Sequence, residues 1–200
     1  LLNRAGMNVI RFDYSGTGDS SGDGEDVTVE QWLEDIESAV EELKDNAMDE
    51  TVSVVGLRWG ATLAAMACGE RTDVDHVLLW DPIVSGKDYL DEHLGLPRPT
   101  ELVGLEGFPF PPALVDGLER LDLRKTLSES TRAEFTALVA EDRPDYREIE
   151  AVLAGRNKGE LLEVVESSGN WAKADPFGDA LIPQRIMQAI LDRLTAGVRK

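Results

Sequence analysis

The stretch VSVVGLRWGATLAAMA (Val52–Ala67) decides how the rest of the chain is read. Val52 to Leu57 is a β-branched apolar run, and Ala61 to Ala67 is a run of small residues suited to a helix lying close on its neighbour. Gly56 and Gly60 stand two positions either side of Arg58. That spacing predicts a sharp turn whose flanks must be small, carrying the chain from strand straight into helix. The helix start would present unpaired N–H groups and a positive dipole end to whatever lies there.

On either side of this unit, strand and helix patterns alternate. MNVIRFDY (Met7–Tyr14) reads as a buried strand closed by the turn-rich SGTGDSSGDGED. Thr28 and Gln31 form a capping box ahead of Trp32, Leu33, Ile36, Val40 and Leu43 at helical spacing. TVSVVGL is followed by a small-residue helix ending at Gly69, then by the strand VDHVLLWD. From Pro82 to about Arg132 prolines mix with short helical pieces and no strand is predicted. EFTALVAED, a helix near Tyr146–Arg156, GELLEVVES and a helix with Ile186, Ile190, Leu191 and Leu194 on one face complete the chain. Alternation with near-continuous apolar strands predicts an α/β domain whose mostly parallel sheet is covered on both faces. Residues 84–132 are expected to form a small helical cap inserted in a domain spanning 1–200.

The 200 residues suffice for one core, and 42% hydrophobic with 30% charged residues is ordinary for a globular chain. A formal net charge of −19 argues against nucleic acid, whose phosphates demand basic patches. Lysine is confined to Lys44, Lys87, Lys125, Lys158, Lys173 and Lys200, which fits either a salt-rich cytosol or a coding preference for arginine. No run is long and apolar enough for a membrane span. A lone Cys68 without metal-ligand spacing leaves a reducing cytoplasm as the default and no metal or cofactor expected. The opening LLNRAGMNV lacks an initiating methionine and reads as a helix tail, so the chain is expected to be a fragment lacking its first strands.

The turn resembles the nucleophile elbow G-x-S-x-G, and the chain is similar to the α/β-hydrolase superfamily. NVIRFDYSGTGDSSG resembles that superfamily's D-x-x-G-x-G-x-S segment, VVGLRWGATLAA the elbow, and FTALVAEDRPDY the acid-bearing strand. More narrowly it resembles serine-aminopeptidase-like hydrolases and, through GLRWGA and LWDPIVSGKDYL, hydrolases associated with exosortase systems. The resemblance implies acyl transfer from esters or amides to water. It also places Arg58 where the nucleophilic serine stands, and Trp59 as an oxyanion N–H donor. Asp142 is favoured over Glu141 and Asp145 for the acid. The histidine position falls in SSGNWAKADPFGDALIP, where Trp171 or Phe177 stands instead. A strand carrying the second oxyanion donor would precede Leu1 and lie between Met7–Tyr14 and Val52–Leu57. Without it, the two either pair directly or leave an exposed edge.

The remaining histidines are His76, at a strand start, and His93, in the cap, each with a structural reading. Arg58 is open to three roles: an internal ion pair with Asp142, Asp13 or Asp81, a clamp for a carboxylate or phosphate ligand, or part of a purely structural or partner-binding module. A residual hydrolase using water oriented by Asp142 and Glu141 is a further alternative. Asp19, Ser21, Asp23, Gly24 and Glu30 fit a calcium-loop frame, but they follow a strand and run into a helix start. GTGDSSG approaches a dinucleotide turn, but acidic residues crowd it. Both stretches read better as a solvated turn. GFPFPP with Leu114, Leu118 and Leu121 lines an apolar pocket or fastens the cap to the body, and the second is expected.

Overall fold

The computed structural model describes residues 1–22, 24–105, 108–156, 158–165 and 184–196. After a 3-10 turn at Leu2–Ala5 the elements are α1 (Val29–Ala47), β1 (Val52–Leu57), α2 (Trp59–Cys68), β2 (Val74–Trp80) and α3 (Gly86–His93). Then come β3 (Val103–Leu105), β4 (Phe108–Phe110), α4 (Pro112–Glu119), α5 (Leu123–Glu129), β5 (Glu134–Val139), α6 (Pro144–Gly155), β6 (Leu161–Val164) and α7 (Gln184–Ala196). The main sheet has the order β1-β2-β5-β6 and every pairing in it is parallel. No helix among the described residues is long and apolar enough to cross a membrane.

Strand alternation sorts the core. Leu78 and Leu138 face α7, where Ile186 and Ile190 are buried, whereas Val77, Leu79, Phe135, Ala137 and Val139 face α1, α2 and α6. The Thr28 hydroxyl accepts the Gln31 N–H at 3.2 Å and starts α1, whose Trp32, Ile36 and Val40 are buried. Gly56 explains the close seat of α2: a Cβ there would lie 2.3 Å from the Gly60 carbonyl oxygen and 2.5 Å from Ala61 Cα. Gly60 is under much less pressure, its added Cβ lying 3.4 Å from the Tyr14 hydroxyl.

Between β2 and β5 lie three short helices and, against expectation, an antiparallel hairpin of β3 with β4. Strands of three residues carry too little pattern to be read, and Pro109 in the second one argues against a strand. This segment is fastened to the body. Leu105, Phe110, Leu114, Leu118 and Leu121 join the main core, and a Cβ on Gly86 would collide with the Leu118 carbonyl.

The predicted strand Met7–Tyr14 is absent from the sheet, and Val9 and Phe12 are exposed. Strand status needs a ladder partner, and β1 does not supply one. Among the described residues β1 is hydrogen-bonded on one side only. A groove of about 950 Å³ separates the two, with Met7, Val9 and Ile10 on one wall, Val52 and Val55 on the other, and Leu191 and Leu194 of α7 beside them. Of the two outcomes foreseen for these segments, the exposed edge is the one found.

Candidate active site at the β1–α2 turn

Arg58 caps α2 with φ 55° and ψ −120°, a left-handed conformation that costs a side-chain-bearing residue about 1–3 kcal/mol. The neighbours over-determine it. Its N–H donates to the Trp80 carbonyl at 3.0 Å, which prolongs the β1–β2 ladder by one residue, and its carbonyl accepts from Ala61 at 3.1 Å. The strained turn therefore sits at the carboxyl end of the sheet, directly beside the end of β2.

The Arg58 guanidinium is half-buried and lies 5.4 Å from the centre of the Tyr89 ring on α3. No carboxylate among the described residues is within ion-pair distance of it, and the three anticipated partners are occupied or elsewhere. Asp142 is on the surface, where Arg147 binds both of its oxygens at 2.9 and 2.6 Å and holds its carboxyl below the usual range. Asp13 receives the Asp19 N–H at 3.4 Å. Asp81 Oδ1 accepts the Ala140 N–H at 2.7 Å. Of the other acid candidates, Glu141 is exposed and Asp145 pairs with Arg143.

Trp59 begins α2 beside Arg58 and meets the Tyr89 ring edge-on, centroids 5.1 Å apart. Its indole Nε1–H is buried with no hydrogen-bond partner among the described residues. An orphaned donor of this kind costs about 1–3 kcal/mol and calls for an explanation.

The two histidines stand apart from one another. His76 lies in β2 opposite Ser53, five residues before Arg58 and so roughly 16 Å down the sheet at strand rise. Its Nε2 is 2.8 Å from the Thr136 hydroxyl, and burial pulls its pKa below the ordinary value against the opposing charge of Glu134. His93 ends α3 and stacks on Tyr89 at 4.0 Å. Its Nδ1 is 2.7 Å from the Tyr89 carbonyl, which can only accept, so that nitrogen carries the hydrogen. Trp171 and Phe177, as well as Asp23 of the calcium frame, lie outside the described residues.

Three residues gain importance here: Asp81, anticipated only as an ion-pair partner, and Tyr89 and Tyr146, which the sequence did not signal. Asp81 follows β2 as Arg58 follows β1; it is 6% exposed and left-handed at φ 42°. Tyr89 is the wall shared by Arg58, Trp59 and His93. Tyr146, 2% exposed, has its hydroxyl pKa held well above the usual range by burial and by Asp81, against the opposing charges of Arg143 and Arg58. A polar residue ending an apolar strand was the one available clue, and it marks Asp81 alone.

The comparisons with known proteins agree with this geometry. A family model described as serine aminopeptidase, S33, matches residues 1–135. Est1E from Butyrivibrio proteoclasticus, solved with ferulic acid bound, superposes with a TM-score of 0.62 at 18% identity over 92% of this chain and 76% of its own. A monoacylglycerol lipase of Paleococcus ferrophilus gives 0.60 at 18% over 92% and 82%. An α/β hydrolase from Penicillium sp. sh18 gives 0.58 at 15% over 92% and 76%. Among curated protein sequences none matches. With the elbow turn, the parallel sheet and a family match over residues 1–135, the chain belongs to the serine aminopeptidase S33 family and has the α/β-hydrolase fold.

Proposed function

We propose that this chain is an acyl-hydrolase relative whose triad no longer works and whose elbow now receives a small anionic ligand. The supporting observation is the occupant of the strained turn: a guanidinium with no carboxylate beside it among the described residues. Hydrolysis through an acyl intermediate needs a nucleophile that a base can activate. Arginine is protonated at all ordinary pH and offers donors only. His76 lies at the other end of β2, and His93 is tied to a carbonyl on α3. A planar fork of N–H donors at a helix start suits a carboxylate or a phosphate oxygen. A cytoplasmic setting belongs to the same proposal, in keeping with a single buried thiol, Cys68, whose pKa burial pushes up to about 12.

The test pairs turnover with binding. Expected for the 200-residue protein are background rates on p-nitrophenyl acetate and butyrate, and a rise in melting temperature with a carboxylate or phosphate salt that Arg58→Ala abolishes. Ester turnover that Asp142→Ala removes would instead establish a hydrolase working through the acidic loop after β5. A melting temperature indifferent to anions in both proteins would leave a structural module.

A further inference from the structure

The free edge of β1 and the segment across from it present two rows of unpaired backbone to one groove. The Val52 N–H donates to Asp73 and the Arg58 N–H to Trp80, both toward β2. By strand alternation Ser53, Val55 and Leu57 turn their N–H and carbonyl groups the other way, and no backbone partner meets them among the described residues. On the opposite wall the backbone of residues 8–12 likewise has no hydrogen bond among the described residues. From these facing rows we infer that the groove docks one extended segment of another polypeptide, apolar at successive positions and flanked by basic residues, independently of what Arg58 binds.

The shape of the gap selects a strand. The groove of about 950 Å³ is lined on the α7 face by Leu191 and Leu194, and a cavity of about 100 Å³ lies on the α1 face against Ile36 and Leu43. Val52 and Val55 line both, so the two cavities are the two faces of one gap in the sheet layer. A layer held between helices is one strand thick. The sheet of a second copy brings its own covering helices with it and does not fit. An acyl chain suits the apolar walls but leaves both rows of N–H and carbonyl groups unpaired, whereas a strand satisfies them along its two edges. With helices over both faces, that strand must be apolar at successive positions and not at alternate ones. The six residues of β1 set its length at about 20 Å. VSVVGL also carries no charged residue or proline of the kind that blunts an edge meant to stay free.

The charge follows from the lining. Asp49 and Asp192 both line the groove, and no lysine or arginine does. Asp192 accepts only from the neutral Gln188 amide, at 2.8 Å. Lysines flanking the apolar run answer these carboxylates and the net charge of −19 that surrounds them.

Fluorescence anisotropy of a labelled Lys-Lys-Val-Ile-Val-Val-Ile-Val-Lys peptide with the 200-residue protein tests the assignment. Saturable binding is expected, about 100-fold tighter than that of a peptide with the same lysines around serine and glycine. N-methylating alternate peptide residues removes the donors toward one wall and leaves the protein untouched; each of the two alternate sets is expected to weaken binding about 10-fold. Val55→Lys, at an exposed position of β1, is expected to cost about 10-fold with the melting temperature unchanged. Asp49→Asn combined with Asp192→Asn is expected to cost about 3-fold at low salt and nothing at high salt. Equal binding of the serine–glycine peptide would reduce the effect to charge attraction. Equal binding of both N-methylated peptides, or displacement by an equimolar amount of laurate, would leave an apolar cleft without strand pairing. A protein dimer that Val55→Lys dissociates would give the edge to a second copy. Any of these results, or no binding at all, overturns the proposal.

Discussion

Arg58 and Arg156 are two arginines that both rest on an aromatic ring, and their surroundings differ in every other respect. Arg156 lies over Phe135 at 4.9 Å, pairs with Glu160, and donates to the carbonyls of Leu127, Ser130 and Ala133. The side chains of this pair are 8% and 1% exposed, and Glu160 also accepts the Phe135 N–H at 3.1 Å. The group is complete within the chain: it ties the α5–β5 connection to the end of α6. Arg58, on a strained backbone, has the ring but, among the described residues, neither the carboxylate nor the carbonyls. A saturated cation does structural work; the proposed anion site rests on the contrast with a guanidinium that has no acceptor among the described residues.

The largest expected effect breaks the comparison if it fails. Arg156→Leu leaves Glu160 buried and uncompensated, which destabilises by about 3–5 kcal/mol. Arg58→Leu removes a half-buried cation with no ion pair among the described residues and is expected to change stability by no more than about 0.5 kcal/mol. Urea unfolding midpoints of the two variants measure the difference. Comparable losses in both would mean that Arg58 is as structural as Arg156.

A second, smaller pair sharpens the account of the turn itself. In the sequence Gly56 and Gly60 look equivalent, flanking Arg58 at equal distance. Their surroundings are not equivalent, because only at Gly56 would a Cβ strike backbone atoms. Gly56→Ala is therefore expected to cost about 3 kcal/mol through overpacking of α2 on β1. Gly60→Ala needs only a slight retreat of the Tyr14 hydroxyl and gains helix propensity, so it is expected to stay within about 0.5 kcal/mol. Thermal melts of the two variants decide it; equal losses would mean that the helix seat depends on both glycines.

The same contrast explains what could be read in advance. The sheet strands after Val52, the cap of α1 and the elbow were legible because each is written locally, in alternation, in a Thr28–Gln31 pair, in two glycines around one residue. Met7–Tyr14 has strand residues and is no strand, since a ladder depends on what lies alongside. The β3–β4 hairpin hides behind Pro109 and its own brevity. Asp142 looked suited to the site by position along the chain, yet in the fold it turns outward to Arg147. Tyr89 joined the site only through folding, because nothing in GKDYLDEH announces which ring Arg58 will meet. Local rules fix elements; which donors end up without partners is decided by the packing of distant segments.

The smallest effect concerns the other polar contact inside the sheet. His76 and Thr136 satisfy each other across β2 and β5, far from Arg58, and burial keeps the folded imidazole's pKa below the ordinary value. The unfolded chain consequently binds the proton more readily. The stabilisation from neutral His76 is complete above the unfolded pKa of about 6.5 and is lost as pH falls below it. His76→Gln keeps a polar group toward Thr136 and does not titrate. Its unfolding midpoint should fall less than that of the unaltered chain between about pH 8 and about pH 5.5, with the many surface carboxylates cancelling in the difference. A pH profile identical in both proteins would mean that the buried imidazole accepts its proton as easily folded as unfolded. That in turn would place water against β2 at a point where Thr136 is only 6% exposed.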